Sequence, residues 1–139
     1  MDYEALRKMR MEQNAFARLM GAQITKIEEG YAKVEVAASP VLLNPQGSMH
    51  GGCLFTLCDI AGSSAAVSHG YQIATVDADI RYLNAGIGLK RATAQAREIK
   101  RGKKLLVYQI DVTDDSGKLL VVGMFSYMPL DREIVLEQR

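Results

Sequence analysis

Hydrophobic and polar residues follow a regular pattern along most of the chain, but the period of that pattern changes. Over residues 3–20, apolar side chains recur at helical spacing among charged ones, which predicts an amphipathic helix packed on the rest of the protein. Beyond Gly21 the period becomes two. Residues 24–27 and 31–36 alternate on either side of a Glu29-Gly30 turn, and this predicts a β-hairpin.

The middle of the chain differs, because residues 54–68 are apolar on nearly every side. This segment contains no proline and one charged residue, so it predicts a buried central helix, reached through a loop over residues 38–50. Four alternating segments follow at residues 73–83, 90–100, 104–114 and 118–128, and the short turns between them predict antiparallel neighbours. This order indicates an α+β architecture, and nothing divides the chain, so a single domain over residues 1–139 is expected.

The first of these four strands is expected to have one polar face. Strict alternation over residues 73–83 divides the side chains between the two faces of a sheet. The polar face would carry Thr75, Asp77, Asp79 and Arg81, and the other face would carry Val76, Ala78, Ile80 and Tyr82.

Charge and cysteine content exclude several classes of function. The formal net charge is +1, with both signs interspersed, which argues against a nucleic-acid partner. Cys53 and Cys58 are too far apart around the predicted helix for an easy disulfide, and no further cysteine could complete a zinc site. Charged residues precede any apolar run at the N-terminus, and no run could span a bilayer. We therefore expect a soluble, cytoplasmic protein without a membrane partner.

The candidate chemistry lies at the start of the central helix and on one of its faces. Gly51 and Gly52 open the helix, where backbone N–H groups have no intrahelical partner and a ligand oxygen can approach. Such a terminus favours developing negative charge, as in an oxyanion hole. Asp59 stands on a face of small or weakly polar residues, which leaves room for a ligand. The alternative role for Asp59 is that of a buried structural acid bonded to a neighbouring loop.

The spacing of these two features predicts an oligomer. Gly51 and Asp59 are eight residues apart, so a rise of about 1.5 Å per residue separates them by roughly 12 Å along the helix axis. An oxyanion donor and an attacking group must both approach to about 3 Å from the reacting centre. If both act in one reaction, they come from different copies of the chain, and a symmetric homodimer would satisfy this requirement.

The pattern Asn44…His50-Gly51-Gly52…Asp59 resembles the hotdog-fold acyl-CoA thioesterases of the PaaI-like and hydroxybenzoyl-CoA thioesterase group. The resemblance extends over most of the chain. It implies a hotdog fold, in which an antiparallel sheet wraps around a long central helix, with an extra N-terminal helix. It also implies hydrolysis of an acyl-CoA thioester without a metal or an organic cofactor, in a homodimer or a homotetramer.

The resemblance also implies roles for particular residues. The N–H of Gly51 would polarise the thioester carbonyl, and Asp59 of the neighbouring subunit would attack it or activate water. Asn44 would hold the water or the carbonyl. His50 would shape the loop, and Thr75 would help to orient water.

A compact basic turn, Arg101-Gly102-Lys103-Lys104, is a candidate for the phosphates of CoA. A basic hairpin turn is otherwise simply solvated. The resembling family has a similar Gly-Lys turn near the nucleotide, which implies that Arg101, Gly102 and Lys103 contact the CoA moiety.

Two other functions stay open at this point. A hotdog dehydratase or hydratase would need a histidine and a carboxylate placed for proton transfer at carbon, for which His50 and Asp59 are the available pair. A non-catalytic acyl-CoA-binding hotdog protein would be indifferent to the loss of Asp59.

Overall fold

The N-terminal segment folds as two short helices separated at Asn14. In a computed structural model of the chain, which describes residues 1–136, α1 covers Tyr3–Gln13 and α2 covers Ala15–Met20. The side chain of Asn14 accepts a hydrogen bond from the backbone N–H of Ala17 and so caps α2. This cap explains why the predicted single helix over residues 3–20 is interrupted. Residues 137–139 of the predicted domain lie outside the described residues.

Within residues 1–136, six strands form one antiparallel sheet. They are β1 (Ala22–Glu28), β2 (Tyr31–Ala37), β3 (Tyr71–Tyr82), β4 (Arg91–Arg101), β5 (Leu106–Asp114) and β6 (Leu119–Glu133). Their order across the sheet is β1-β2-β4-β5-β6-β3, and all neighbouring pairs are antiparallel. The central helix α3, Gly51–Val67, lies between β2 and β3 in the sequence.

The connection after β3 differs from the sequence-based expectation. The short turn after residue 83 predicts that β3 and β4 are neighbours, and this prediction is wrong: β3 pairs with β6, whereas β4 pairs with β2 and β5. Residues 83–90 cross over along the end of the sheet, where the backbone N–H groups of Leu83 and Asn84 both donate to the carbonyl of Leu120. The crossover leaves β3 as an edge strand.

All six strands contact α3, so the sheet wraps around the helix and the core lies between them. Helix side chains that face the sheet are fully buried, as Leu57 and Ala61 show. Those on the opposite face are partly exposed, among them Phe55, Asp59 and Ser63. This division follows the faces predicted from helical spacing. The predicted α+β arrangement is therefore observed.

A β-bulge in β3 reverses the predicted orientation of Thr75. The register with β6 shifts by one residue between Thr75 and Asp77, which leaves Val76 as an extra residue on β3. Thr75 and Tyr82 both hydrogen-bond to α3 and so point to the same side of the sheet. The prediction that Thr75 shares a face with Asp77 is wrong, because strict alternation does not continue through the bulge.

Candidate active site

The loop before α3 is held together by the side chain of Asn44. Its Oδ1 accepts hydrogen bonds from the backbone N–H groups of Gln46 and Ser48, each at 3.0 Å, and its Nδ2 donates to Ser48 Oγ at 2.7 Å. Gly47 lies between them with a φ of 83°, a conformation that favours glycine. The side chain of Asn44, predicted to hold water or the carbonyl, therefore stabilises the loop. One N–H of its amide remains available for a ligand.

The backbone N–H of Gly51 is open at the start of α3. His50 is the N-cap of the helix, and its Nδ1 accepts from the N–H of Gly52 at 2.8 Å. Within residues 1–136 no acceptor lies on the N–H of Gly51, whereas its carbonyl accepts from the hydroxyl of Tyr82 at 2.9 Å. The cap therefore occupies one candidate oxyanion donor and leaves the other free.

A cavity of about 300 Å³ opens beside this donor. Gly51, Asn44 and Tyr82 line it together with residues of the crossover after β3. A Cβ at position 51 would lie 3.4 Å from the Tyr82 ring, an ordinary contact, so packing alone does not require glycine there. In the single chain Asp59 is not part of this cavity wall.

The carboxylate of Asp59 is held by two hydroxyl groups on the same oxygen. Tyr127 donates to Oδ1 at 3.1 Å, and Thr75 Oγ1 donates to it at 3.3 Å. Tyr127 and Thr75 are paired residues on β6 and β3, so neighbouring strands present both hydroxyls. Within residues 1–136 no hydrogen bond reaches Oδ2, which leaves that oxygen available for chemistry.

Tyr127 is a site residue that the sequence pattern did not identify. It is fully buried, and burial raises the pKa of its hydroxyl far above the ordinary range, with a smaller effect from Asp59, so the hydroxyl acts as a donor. A signal was present in the sequence. Alternation along β6 places Tyr127 on the core-facing side with Phe125, and a buried tyrosine hydroxyl needs a partner.

Arg10 is a second residue near Asp59 that the sequence pattern did not identify. From α1, its guanidinium donates to Ser63 Oγ at 2.9 Å and to Ser64 Oγ at 3.0 Å. Burial lowers the pKa of Arg10, and nearby acidic groups that include Asp59 oppose this shift. The available signal was its position four residues after the buried Leu6, on the same face of α1.

The predicted catalytic residues form two separate groups in one chain. Asn44, His50 and Gly51 lie at the start of α3, whereas Asp59 lies about two turns further along the helix, with Thr75 of β3 beside it. The eight-residue spacing again corresponds to roughly 12 Å of rise, because α3 is continuous from Gly51 to Val67. A single chain therefore does not bring the two groups together.

The predicted CoA-binding residues form a third group near the C-terminal end of α3. Arg101 is the last residue of β4, and Gly102 and Lys103 follow it. All three border a second cavity, of about 480 Å³. A Cβ on Gly102 would lie 2.8 Å from the carbonyl oxygen of Leu105, so this tight turn requires glycine. The rest of the wall includes His69, Tyr71, Ile73, Pro129 and Leu130.

Three further features bear on the expected chemistry. Among residues 1–136, the structure places no group of three His, Cys, Asp or Glu side chains where they could hold a metal ion. No helix in the same range is long and apolar enough to cross a bilayer. Cys53 and Cys58 are free and buried.

The family model of the thioesterase superfamily matches residues 46–121, more than half of the chain. The chain belongs to the thioesterase superfamily. This superfamily member is 32% identical to the acyl-coenzyme A thioesterase PaaI of Escherichia coli over 111 residues, which cover 80% of this chain and 79% of that protein. The predicted class of enzyme, a thioester hydrolase, is thereby confirmed.

Solved structures of similar proteins confirm the predicted hotdog fold of this superfamily member. The PaaI protein from the phenylacetic acid degradation operon of Escherichia coli superposes with a TM-score of 0.88 at 27% identity, covering 96% of this chain and 99% of that one. A hypothetical thioesterase from Streptococcus pneumoniae, solved with coenzyme A, gives a TM-score of 0.82 at 26% identity, covering 91% of this chain and 98% of that one.

Proposed function

We propose that the chain is an acyl-CoA thioesterase, which hydrolyses a CoA thioester to a free acid and CoA. One observation carries this proposal: α3 has an open N–H at Gly51 and, on its exposed face, the Asp59 carboxylate with one oxygen free. An open backbone donor stabilises charge on a carbonyl oxygen, and a free carboxylate oxygen can act as nucleophile or base. Two similar proteins support this substrate class: the acyl-coenzyme A thioesterase PaaI of Escherichia coli, and the hypothetical thioesterase from Streptococcus pneumoniae whose structure contains coenzyme A.

In the proposed reaction, the thioester carbonyl oxygen accepts the N–H of Gly51. Asp59 Oδ2 then attacks the carbonyl carbon, or it removes a proton from a water molecule that attacks instead. Attack by Asp59 breaks the C–S bond, expels the CoA thiolate and leaves an acyl-aspartate anhydride, which water then cleaves at the acyl carbon to release the acid and regenerate the carboxylate. Attack by water breaks the C–S bond and gives the acid directly. In both routes the thiolate takes up a proton, and the second oxygen of the released acid comes from water. Thr75 would hold that water beside Asp59, and the remaining N–H of Asn44 would reach the water or the carbonyl.

A second copy of the chain would complete the site. Gly51 and Asp59 lie too far apart along one helix to act on one carbonyl. Within residues 1–136 the outer side of β3 is unpaired, and Val76 and Tyr82 on this strand are about half exposed. We therefore infer a homodimer in which two β3 strands pair and extend the sheet. The homotetramer and the cytoplasmic location stay predictions.

The charges along β3 favour a two-fold axis at Asp79 over one at the neighbouring Ala78. With the two-fold axis at Asp79, Asp77 faces Arg81 of the partner subunit, which is a favourable cross-strand pair. Asp79 meets its own copy at the axis, and each Asp79 is paired with Arg81 of its own chain at 2.8 Å. An axis at Ala78 would instead place Asp77 opposite Asp79 of the partner subunit, twice over, and like charges would repel.

The same register would bring the two halves of the site together. Because Val76 is an extra residue, the axis at Asp79 places Thr75 beside Tyr82 of the partner subunit. In each chain Thr75 contacts Asp59, and Tyr82 contacts Gly51. The open N–H at one helix start would therefore approach the carboxylate of the other chain. Two equivalent sites would result from one symmetry axis.

The basic turn would bind the CoA phosphates. Arg101 and Lys103 border the 480 Å³ cavity, and its wall includes Ile73, two residues before Thr75 on β3. The cavity therefore extends from the basic turn to β3, the strand on which Thr75 contacts Asp59, and a pantetheine arm would follow this strand from the turn to the carboxylate. Guanidinium and ammonium groups bind phosphate well, and the exposed ion pair of Arg101 with Glu29, at 3.6 Å, is weak enough for a phosphate to replace.

The dehydratase alternative gains no support from the geometry. Nδ1 of His50 accepts from the N–H of Gly52, so the ring is engaged in the helix cap. Asp59 lies more than two turns further along the same helix, which places a proton relay between the two side chains out of reach within one chain.

The decisive test is thiol release from short, long and aromatic acyl-CoAs, compared between the wild type and Asp59→Asn. Burial raises the pKa of Cys53 to about 11 and that of Cys58 to about 12, so at about pH 7.5 both thiols are mostly protonated and contribute little background with the thiol reagent. We expect at least one acyl-CoA to be hydrolysed, and the near-isosteric variant to lose about 100-fold or more in kcat while still binding CoA.

Two results would contradict the proposal. If Asp59→Asn hydrolyses acyl-CoA at the wild-type rate, the assigned role of the carboxylate is wrong. If the wild type binds acyl-CoA and hydrolyses none, the non-catalytic binding alternative is correct.

A further inference from the structure

A buried tyrosine and a glycine form a fixed support behind the carboxylate. The ring of Tyr127 crosses α3 at Gly62, which lies one turn after Asp59, and a Cβ on Gly62 would lie 2.3 Å from the tyrosine oxygen. That oxygen is 3.1 Å from Oδ1 of Asp59 and 3.3 Å from its backbone carbonyl oxygen. The contact is therefore possible only because position 62 has no side chain.

The ring of Tyr127 has little freedom to leave this position. It is fully buried, packs edge-on against Tyr108 with ring centroids 6.1 Å apart, and stacks with Phe125 at 6.5 Å. Side chains in a close-packed core keep one rotamer, so the hydroxyl is a preorganised donor. Thr75 is different, because it is exposed on the edge strand and its hydroxyl can turn towards a ligand.

We propose that Tyr127 is a positioning residue, which fixes the carboxylate of Asp59 so that Oδ2 faces the reacting carbonyl. This inference rests on the proposed hydrolysis and adds to it a residue that binds no substrate. Tyr127 donates to Oδ1, so its effect passes through Asp59. A carboxylate without this donor would rotate about its Cβ–Cγ bond and spend less time in the productive orientation, which lowers the rate of the chemical step.

The first test is Tyr127→Phe, which removes the hydroxyl and keeps the ring. We expect kcat to fall about tenfold with KM within about twofold, because orientation of the attacking group is lost while substrate contacts stay. The matched control is Tyr108→Phe. Its ring is equally buried, but its hydroxyl donates to Glu98 at 3.1 Å, and we expect its kcat to stay within about twofold of the wild type.

Thermal unfolding of both variants separates a loss of stability from a loss of positioning. Tyr127→Phe with the kcat of the wild type overturns the inference, and so does an equal loss of kcat in both variants. Added to Asp59→Asn, the same change should lower the residual rate no further, and a further loss also overturns it. A wild type that hydrolyses no acyl-CoA is a distinct result, which overturns the proposed function and, with it, the role of Tyr127.

Discussion

Tyr82 ties the edge strand to the start of the central helix, since its hydroxyl donates to the carbonyl of Gly51 at 2.9 Å. Further along the same strand, Thr75 donates to Asp59 at 3.3 Å. One strand therefore contacts both halves of the candidate site, at two positions that are seven residues apart. An antiparallel copy of this strand would bring the first half of one chain to the second half of the other.

A mixed dimer of two inactive variants is expected to recover activity. Asp59→Asn removes the carboxylate, and Gly51→Pro removes the N–H with little disturbance, because proline is well accepted at the first position of a helix. The preceding residue, His50, has φ −58° and ψ 136°, which proline tolerates. After 1:1 co-refolding, half of the dimers are mixed and each has one intact site, so thiol release should return to about a quarter of the wild-type rate.

The control for that experiment is Gly51→Ala, which keeps the N–H and adds a Cβ at 3.4 Å from the Tyr82 ring. We expect it to keep most of the activity. No recovery in the mixture, with both parent variants folded and dimeric, would show that the two residues do not act across subunits.

A cysteine at the symmetry axis is expected to cross-link the dimer. In the proposed register Asp79 faces its own copy, and directly opposed residues of antiparallel strands lie about 4.5–5.5 Å apart at Cα, within disulfide range. Asp79→Cys should therefore form a covalent dimer under mild oxidation, seen on a non-reducing gel. Asp77→Cys is the control, because its copies would be about 13 Å apart. Cross-linking of Asp77→Cys alone would refute the register.

Gly62→Ala is expected to destabilise the protein and to slow catalysis. The added methyl group would lie 2.3 Å from the hydroxyl of Tyr127, so the ring or the helix must move. Overpacking of this kind costs about 1–3 kcal/mol, which urea denaturation can measure. Adding Tyr127→Phe removes the clashing oxygen and should restore part of the lost stability. If the double variant is less stable than Gly62→Ala, the clash is not with that hydroxyl.

The local parts of this structure could be predicted from sequence, and the long-range parts could not. The position and faces of α3 follow from burial at helical spacing, which is a property of one segment. The pairing of β3 with β6 depends on contacts between distant segments. The orientation of Thr75 depends on one extra residue, Val76, and alternation gives no sign of a bulge. The contact between Tyr127 and Asp59 joins residues that are 68 positions apart, so no local pattern in the sequence predicts it.

Reversing the charge of Lys103 is expected to weaken substrate binding without slowing the chemical step. Lys103 lies in the basic turn beside the 480 Å³ cavity, and Asp59 is not among the residues that line this cavity. Lys103→Glu would repel a CoA phosphate, so KM should rise about tenfold while kcat stays within about twofold. Lys118→Glu, in the turn between β5 and β6, makes the same charge change away from both cavities. Steady-state kinetics at low and high salt should show a difference between the two variants that narrows as salt screens the charge. An equal rise of KM in both would mean that net charge, and not this turn, attracts the substrate.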